Sequence, residues 1–291
     1  MKNRSYFAAL LLTAVLAFPS SHVVAHEAEA TLDKIVRTGE FVIGYRADSS
    51  PLSYENGDGE PSGYSVDFCR RIAAGVKAHL SDHEIATKFV KITADERMSA
   101  VVDGKIDIEC GSTTITLTRQ KTVDFSMPTF VTGASVLSLS SSGIQDMAGL
   151  SGKKVGVAKD TTTVDQLKNH LSENLIDAEV VIIDNRVQGM NLLNRGDIDA
   201  LASDQIVLIG QVIEAANPRR YSIVEELYSY EPYGFVLRRN DADFRLIVNS
   251  AIAQVYRSGQ QGDIFYKWIG RIGIGVPPVL AAMYQLGETP E

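Results

Sequence analysis

The sequence has 291 residues, of which 45% are hydrophobic, and it carries 28 Lys and Arg against 36 Asp and Glu. Its formal net charge of −8 is opposite to the basic surface that nucleic-acid binding requires, so no nucleic acid is expected as a partner. The hydrophobic content is sufficient for packed cores.

The N-terminus has the pattern of a cleavable signal peptide. Lys2 and Arg4 precede a mostly apolar run over 6–18, and Val23 and Ala25 place small residues at positions −3 and −1 of a cut after Ala25. The run is shorter than the roughly 18 to 20 residues that a membrane helix needs. We therefore expect export to the periplasm, without a lipid anchor because no Cys lies near the cut.

The remainder, residues 26–291, is long enough for two domains of roughly 150 residues. Strand-like and helix-like runs alternate along it, which is typical of α/β layers with largely parallel sheets. In the first half, strands are predicted at 41–45, 85–91 and 106–110, and helices at 65–79 and 97–102. In the second half, strands are predicted at 136–139, 154–158, 179–183 and 200–203, and helices at 164–172, 186–194 and 205–215.

Two short segments, 132–135 and 230–234, separate these halves from each other and from the C-terminal part. A chain that leaves one lobe, builds a second and returns would need both crossovers, and two crossovers predict a hinge. The segment after the second crossover forms an amphipathic helix that must pack on an existing lobe. Its apolar face consists of Phe244, Ile247, Val248, Ala251, Ile252 and Val255.

The sequence contains two cysteines, Cys69 and Cys110. Export places them in an oxidising compartment, where a single disulfide is the default expectation. A zinc site and a catalytic thiol are weaker alternatives, since neither Cys has a His nearby in sequence.

The segment 106–114 ends a predicted strand in a run of small hydroxyl residues, and Arg119 follows shortly after. Ligands of open α/β sheets bind beyond the carboxyl ends of strands, and hydroxyls beside a guanidinium suit a carboxylate. The alternative is that Ser112 and Thr114 belong to a segment that only caps a helix with Arg119 on its exposed face.

These motifs resemble those of family 3 solute-binding proteins of polar amino-acid ABC importers, over about residues 32–277. Within that family the sequence is most similar to glutamate/aspartate-binding proteins, which also place a Cys before Gly-Ser-Thr-Thr. The motifs that carry the resemblance are Gly63-Tyr64-Ser65-Val66-Asp67, Glu109-Cys110-Gly111-Ser112-Thr113-Thr114 with Arg119-Gln120, Asp124-Phe125-Ser126, and Tyr233-Gly234.

The resemblance implies an α/β fold of the two-lobed, type II periplasmic-binding-protein class, with a mixed sheet in each lobe and a two-stranded hinge. The signal peptide would cover 1–25, lobe 1 would comprise 26–132 and 234–291, and lobe 2 would comprise 133–233, with hinge segments near 131–135 and 230–234. The ligand would be a glutamate or aspartate zwitterion, delivered to an ABC permease by a monomer without a cofactor or metal.

The resemblance also assigns the ligand contacts. Arg119 would hold the α-carboxylate, aided by the hydroxyl and N–H of Thr114 and by N–H groups at the start of the helix of Thr162 in the second lobe. Asp204 and Ser112 would hold the α-ammonium, with Asp204 also able to cap the following helix. The side-chain carboxylate would be held by Arg46, Arg97 and Arg186.

Two positions depart from the pattern: Ala94 stands where the subgroup commonly has Ser, and Arg186 stands where it has His. We expect Arg186 to point into the pocket rather than into water, where it would pair with Asp184. Alternatives to an acidic amino-acid receptor are a glutamine or asparagine receptor and an enzyme that resembles cyclohexadienyl dehydratases. A module that senses a ligand for a signalling partner is a further alternative.

Overall fold

The computed structural model describes residues 29–290, so the predicted signal peptide lies outside the described residues. The chain is an α/β protein with two five-stranded sheets, as the sequence predicts. None of the helices in the described part is long and apolar enough to cross a membrane.

Fifteen strands are present in residues 29–290. They are β1 (Glu40–Arg46), β2 (Asp48–Ser49), β3 (Ser53–Glu55), β4 (Pro61–Ser62), β5 (Ala86–Ile92), β6 (Ile108–Glu109), β7 (Val123–Phe125), β8 (Phe130–Thr132), β9 (Ala134–Leu139), β10 (Lys154–Ala158), β11 (Glu179–Ile183), β12 (Ala200–Asp204), β13 (Tyr221–Ile223), β14 (Glu231–Tyr233) and β15 (Val236–Arg238).

Nine α-helices accompany these strands in the same residues. They are α1 (Thr31–Thr38), α2 (Tyr64–His79), α3 (Arg97–Val102), α4 (Thr162–Glu173), α5 (Arg186–Arg195), α6 (Gln205–Glu214), α7 (Ala242–Arg257), α8 (Gln260–Trp268) and α9 (Pro278–Leu286). Short 3₁₀ turns cover Arg119–Lys121, Ser140–Ser142, Ala148–Leu150, Pro218–Arg220 and Gly270–Ile272.

The first sheet has the strand order β5-β1-β6-β15-β7. Strand β1 pairs in parallel with β5 and β6, whereas β15 pairs antiparallel with β6 and β7. The carboxyl ends of β1 and β6 therefore lie at the same edge of the sheet, which brings Arg46 close to the segment that follows Glu109.

The second sheet has the order β11-β10-β12-β9-β13, with β10 parallel to β11 and β12 and β9 antiparallel to β12. Helices α4, α5 and α6 begin just beyond the carboxyl ends of β10, β11 and β12. Thr162, Arg186 and Asp204 therefore come together at one edge, which is the edge where ligands of α/β sheets bind.

Two paired strands connect the sheets: β8 leads out of the first lobe and β14 returns to it, antiparallel and with Glu231 opposite Thr132. These strands correspond to the crossovers expected near 131–135 and 230–234. The lobe boundaries proposed from the sequence remain a prediction.

The largest core lies in the first lobe, between its sheet and helices α2, α7 and α8. The amphipathic face predicted for α7 is confirmed, since Phe244, Val248 and Ile252 are fully buried. Side chains from α6 join this core, so α6 contacts both lobes; they are Ile206 and Val207.

The Cys69–Cys110 disulfide is present and joins the middle of α2 to the end of β6. Strand β6 is shorter than the predicted 106–110, although the N–H groups of Asp107 and Cys110 still donate to carbonyls of β1. Helices α1, α8 and α9 and the small β2-β3-β4 sheet were not predicted, because their segments are short or lack a clear period.

Candidate functional site

Arg46 ends β1 and is 2% exposed, which makes it one of the largest fully buried side chains. Its Nη2 lies 2.6 Å from Oδ1 of Asp48, so this guanidinium already has one anionic partner from its own chain. Burial alone would raise the pKa of Asp48, but Arg46 and Arg186 outweigh it and the pKa is lowered. Asp48 is therefore an ionised carboxylate within the cleft, and sequence reasoning did not identify it.

Arg97 begins α3 and is 3% exposed. Its Nη2 donates to the backbone carbonyl of Asp160 in the second lobe at 2.8 Å. Burial, together with repulsion from Arg119 and Arg46, lowers the pKa of Arg97 to about 9. The guanidinium is therefore short of negative partners in its surroundings.

Several buried polar atoms of the cleft lack partners in residues 29–290. They include Nε and Nη1 of Arg46, Nε of Arg97, both carboxylate oxygens of Glu109 and Oδ1 of Asp204. Unpaired buried donors and acceptors are costly, so they indicate a site built to be completed by a polar molecule.

Glu109 lies beneath these arginines at the end of β6 and is fully buried. Burial raises its pKa, although Arg97 and Arg46 favour the ionised form. A side chain at position 111 would displace the side chains of Glu109 or Arg46, because an added Cβ would lie 2.1 Å from Oε1 of Glu109 and 2.8 Å from Cγ of Arg46. Close packing against Glu109 and Arg46 thus explains the Gly of the Glu109-Cys110-Gly111 motif without any contact to a ligand.

The hydroxyl run after β6 lines the same cleft. Ser112 is buried and donates to Oγ of Ser49 at 3.3 Å. Arg119 lies on a short 3₁₀ turn and is half-buried, and its Nη1 donates to the carbonyl of Thr114 at 2.8 Å. The alternative of a capped helix with an exposed Arg119 is therefore wrong. Burial lowers the pKa of Arg119.

In the second lobe, Thr162 is the first residue of α4 and faces Thr114, with 3.4 Å between the two hydroxyl oxygens. Free backbone N–H groups at a helix N-terminus favour an anion. The hydroxyls of Thr114 and Thr162 thus meet between the two lobes, near the place predicted for the α-carboxylate of the ligand.

Arg186 is 2% exposed and points inward, as expected. Its Nε donates to Ser203 at 2.8 Å, and its Nη1 donates across the cleft to Ser49 at 3.2 Å. Asp48 lies 3.9 Å from the same Nη1, so the anionic neighbour of Arg186 is in the first lobe. The alternative pairing with Asp184 does not occur, since Asp184 pairs with Lys159.

Asp204 ends β12 and is 4% exposed. Its Oδ2 accepts from the Tyr233 hydroxyl at 2.5 Å. It occupies the N-cap position of α6 but accepts no side-chain capping bond, so the expected second role as a cap is wrong. Burial, and then the nearby charge of Glu231, raises the pKa of Asp204 to about 6.

The eight predicted site residues thus lie where the two sheets face each other, with Arg46, Arg97, Ser112, Thr114 and Arg119 on one side and Thr162, Arg186 and Asp204 on the other, and contacts of Arg97, Thr114 and Arg186 cross between the sides. Sequence reasoning missed four further buried or half-buried polar residues there. They are Asp48, Ser49, Ser203 and Glu231. Arg119 lies at one end of the site and Arg46, Arg97 and Arg186 lie at the other, with the carboxylate of Asp204 also present. This arrangement suits an amino acid whose side chain carries a negative charge.

The chain matches the model of the bacterial extracellular solute-binding proteins, family 3, over residues 41–271. It is 34% identical over 261 residues to the L-glutamate/L-aspartate-binding protein of Pseudomonas aeruginosa. The matched region covers 89% of this chain and 86% of that protein.

Two solved structures are also similar. An ancestral arginine-binding protein bound to arginine has a TM-score of 0.71 and 28% identity, covering 79% of this chain and 98% of the other. An ancestral amino acid-binding protein that is a precursor of cyclohexadienyl dehydratase has a TM-score of 0.69 and 26% identity, covering 82% and 99%. The chain belongs to family 3 of the bacterial extracellular solute-binding proteins, and its role is to bind a substrate.

Proposed function

We propose that this protein is a periplasmic receptor for L-glutamate or L-aspartate and delivers the amino acid to the permease of an ABC importer. The observation that carries the proposal is the set of unpartnered buried atoms, which offers guanidinium donors at Arg46 and Arg97 and a carboxylate acceptor at Asp204. A molecule with a carboxylate at one end and an ammonium near the other satisfies both.

The geometry supports separate places for the three charged groups of such a ligand. Arg119 and the N-terminus of α4 suit the α-carboxylate, because a guanidinium and backbone N–H groups both donate to oxygen anions. Asp204 suits the α-ammonium, with Ser112 as a further acceptor. Arg46, Arg97 and Arg186 suit the side-chain carboxylate.

Asp48 limits how strongly the pocket selects an anion, because it neutralises part of the charge of Arg46 and Arg186. Arg97 forms no salt bridge in the described part of the chain, and its pKa is lowered despite the nearby charge of Glu109. We therefore assign the preference for an acidic side chain over its amide mainly to Arg97.

The test is calorimetric titration of the protein with each of the twenty amino acids, after removal of co-purified ligand. L-glutamate or L-aspartate should bind most tightly, and glutamine and asparagine more weakly. If glutamine or asparagine binds as tightly as the acid or more tightly, the ligand is the amide and not the acid. If another neutral amino acid or a basic one binds most tightly, the assignment of the pocket is wrong.

The variant Arg119→Ala checks the site itself. It should abolish binding while leaving the fold intact, because it removes the only guanidinium placed at the α-carboxylate. The neighbouring exposed Gln120 gives the matched control, Gln120→Ala. Affinity of Arg119→Ala within threefold of the unchanged protein would show that the site lies elsewhere.

An enzymatic function on the same scaffold has one observation in its favour. Asp204 has a pKa of about 6, and a general acid or base works best with a pKa near the operating pH. Its contact with Tyr233 and its place opposite the cleft arginines suit binding equally well. An assay for loss of prephenate or arogenate distinguishes the two functions, and we expect no turnover.

A further inference from the structure

Glu231 is a fully buried carboxylate on β14, one of the two strands that connect the lobes. A buried carboxylate that is not paired with a cation needs several hydrogen-bond donors. Glu231 obtains three of them, all from hydroxyl groups. Its position on a connecting strand places it at the point where both lobes can reach it.

The three donors differ in where they come from. Oε2 of Glu231 accepts from the hydroxyl of Thr114 in the first lobe at 2.6 Å and from that of Thr162 in the second lobe at 2.9 Å. Oε1 accepts from Ser229, beside the strand, at 2.7 Å. A single carboxylate oxygen therefore joins one threonine from each side of the cleft.

A threonine hydroxyl has one proton to donate and two lone pairs that accept. Because Thr114 and Thr162 both direct that proton to Glu231, their oxygens keep only lone pairs for any other neighbour. Two acceptor-only oxygens attract an ammonium and repel a carboxylate or a carbonyl. The charge of Glu231 adds to this effect, as its influence on the raised pKa of nearby Asp204 shows.

We propose that Glu231 is a positioning residue that fixes the hydroxyl protons of Thr114 and Thr162 away from the ligand, so that the site requires an ammonium group. This inference rests on the proposed function, because it names which part of an amino acid the two threonines read. It differs from the sequence-based expectation that the Thr114 hydroxyl assists the α-carboxylate, and leaves only the Thr114 N–H for that role.

The experiment compares L-glutamate with glutarate, which has the same two carboxylates and no ammonium. Titrations at pH 7.5 with Glu231→Gln and with Glu231→Leu should show L-glutamate weakened at least tenfold relative to glutarate, compared with the unchanged protein. A merely structural role would weaken both ligands by the same factor, and that result would overturn the proposal.

The matched control is Ser229→Ala, which removes a hydrogen bond to the same carboxylate but leaves both threonine contacts. Its ratio of the two affinities should stay within threefold of the unchanged protein. A change as large as that of Glu231→Gln would mean that the threonine contacts are not what matters, and would also overturn the proposal.

A second measurement uses no ligand and separates this inference from the proposed function. Glu231→Gln and Thr114→Val should each lower the melting temperature, and the double variant should lower it by less than the sum. Additive losses would show that the two residues do not interact. If the contact is present but L-glutamate does not bind the unchanged protein, the proposed ligand is wrong and the hydrogen-bond arrangement stands.

Discussion

The buried arginines of the cleft do not have equal surroundings. Arg46 and Arg186 share Asp48, whereas Arg97 forms no salt bridge within residues 29–290 and donates only to one backbone carbonyl. Because a guanidinium whose charge is not offset by a salt bridge gains more from a ligand carboxylate, Arg97 should contribute most to discrimination by charge.

The variant Arg97→Gln should therefore weaken L-glutamate by about 10- to 100-fold, since a hydrogen bond to a charged group contributes roughly 1.5 to 3 kcal/mol. L-glutamine should lose much less. Calorimetry with both ligands measures the difference, and Arg71→Gln, at an exposed position on α2, is the control. Equal losses for the two ligands would mean that Arg97 does not contact the side chain.

Asp204 gives the site a dependence on pH. It must be ionised to hold an ammonium, and its pKa of about 6 means that protonation competes with the ligand below that pH. Affinity for L-glutamate should therefore rise about tenfold per pH unit up to about pH 6 and level off above it. Titrations between pH 5 and 8 measure this, and Asp204→Asn should bind weakly with little slope.

The effect of Asp204 on folding stability changes with pH in the opposite direction to its effect on ligand affinity. A carboxyl whose pKa is raised by folding prefers the neutral form in the folded state, so its ionisation reduces stability as pH rises from about 4 to about 6. The titratable and charged groups around Asp204 all remain in Asp204→Asn; they are Tyr233, Glu231, Arg186, Arg97, Arg119 and Tyr228. A slope for ligand binding that persists in this variant would assign the pH dependence to another group.

The residues that the sequence could predict are those that follow strand ends, because parallel strands bring their carboxyl ends to one edge. Arg46, Thr162, Arg186 and Asp204 all follow that rule. Glu231 does not, since an acidic residue in a connecting segment is usually solvated and its burial depends on how two lobes meet. Asp48 was missed although its partner Arg46 is two residues away, because its second partner, Arg186, is distant in sequence and only the fold shows that Asp48 lies in the cleft.

At the scale of elements, strands β10 and β11 have the predicted bounds, and α3 and α5 begin at the predicted residues. These segments have a clear period and obvious ends. The segments that were missed depend on tertiary contacts instead. Helix α9, for example, buries Leu280 and Tyr284 against the first-lobe core, and nothing in its short sequence shows that contact.

The disulfide between α2 and β6 should stabilise the first lobe. It closes a loop with a sequence separation of 41, which corresponds to about 4 kcal/mol in the chain-entropy model. Cys69→Ala with Cys110→Ala should lower the free energy of unfolding by about that amount in denaturant titrations. In the native, unreduced protein no thiol should react with Ellman's reagent, and two reactive thiols would refute the pairing.

For the whole molecule, the approach of the lobes depends on one glycine. Gly210 lies on α6, and a Cβ added there would lie 2.0 Å from the backbone oxygen of Ser50 in the first lobe. Backbone atoms cannot move aside as a flexible side chain can. Helix α6 and the Ser50 segment therefore come this close only because position 210 has no side chain.

Gly210→Ala should hold the lobes apart and weaken every amino-acid ligand, because full coordination needs groups from both sides of the cleft. Small-angle scattering should show that ligand reduces the radius of gyration of the unchanged protein but not of this variant. Gly262→Ala is the control, since Gly262 also lies on a helix and has open space around it. Equal contraction in both variants would refute this account of lobe approach.

The strand order of the first sheet also determines the sequence in which the molecule can fold. Strand β15 lies between β6 and β7, yet it follows the whole second sheet along the chain. The second lobe is a continuous stretch and can fold as soon as it emerges, whereas the first lobe lacks an interior strand until then. The lobe that begins first along the chain therefore completes its sheet last, and β6 and β7 lack their shared neighbour until β15 is available.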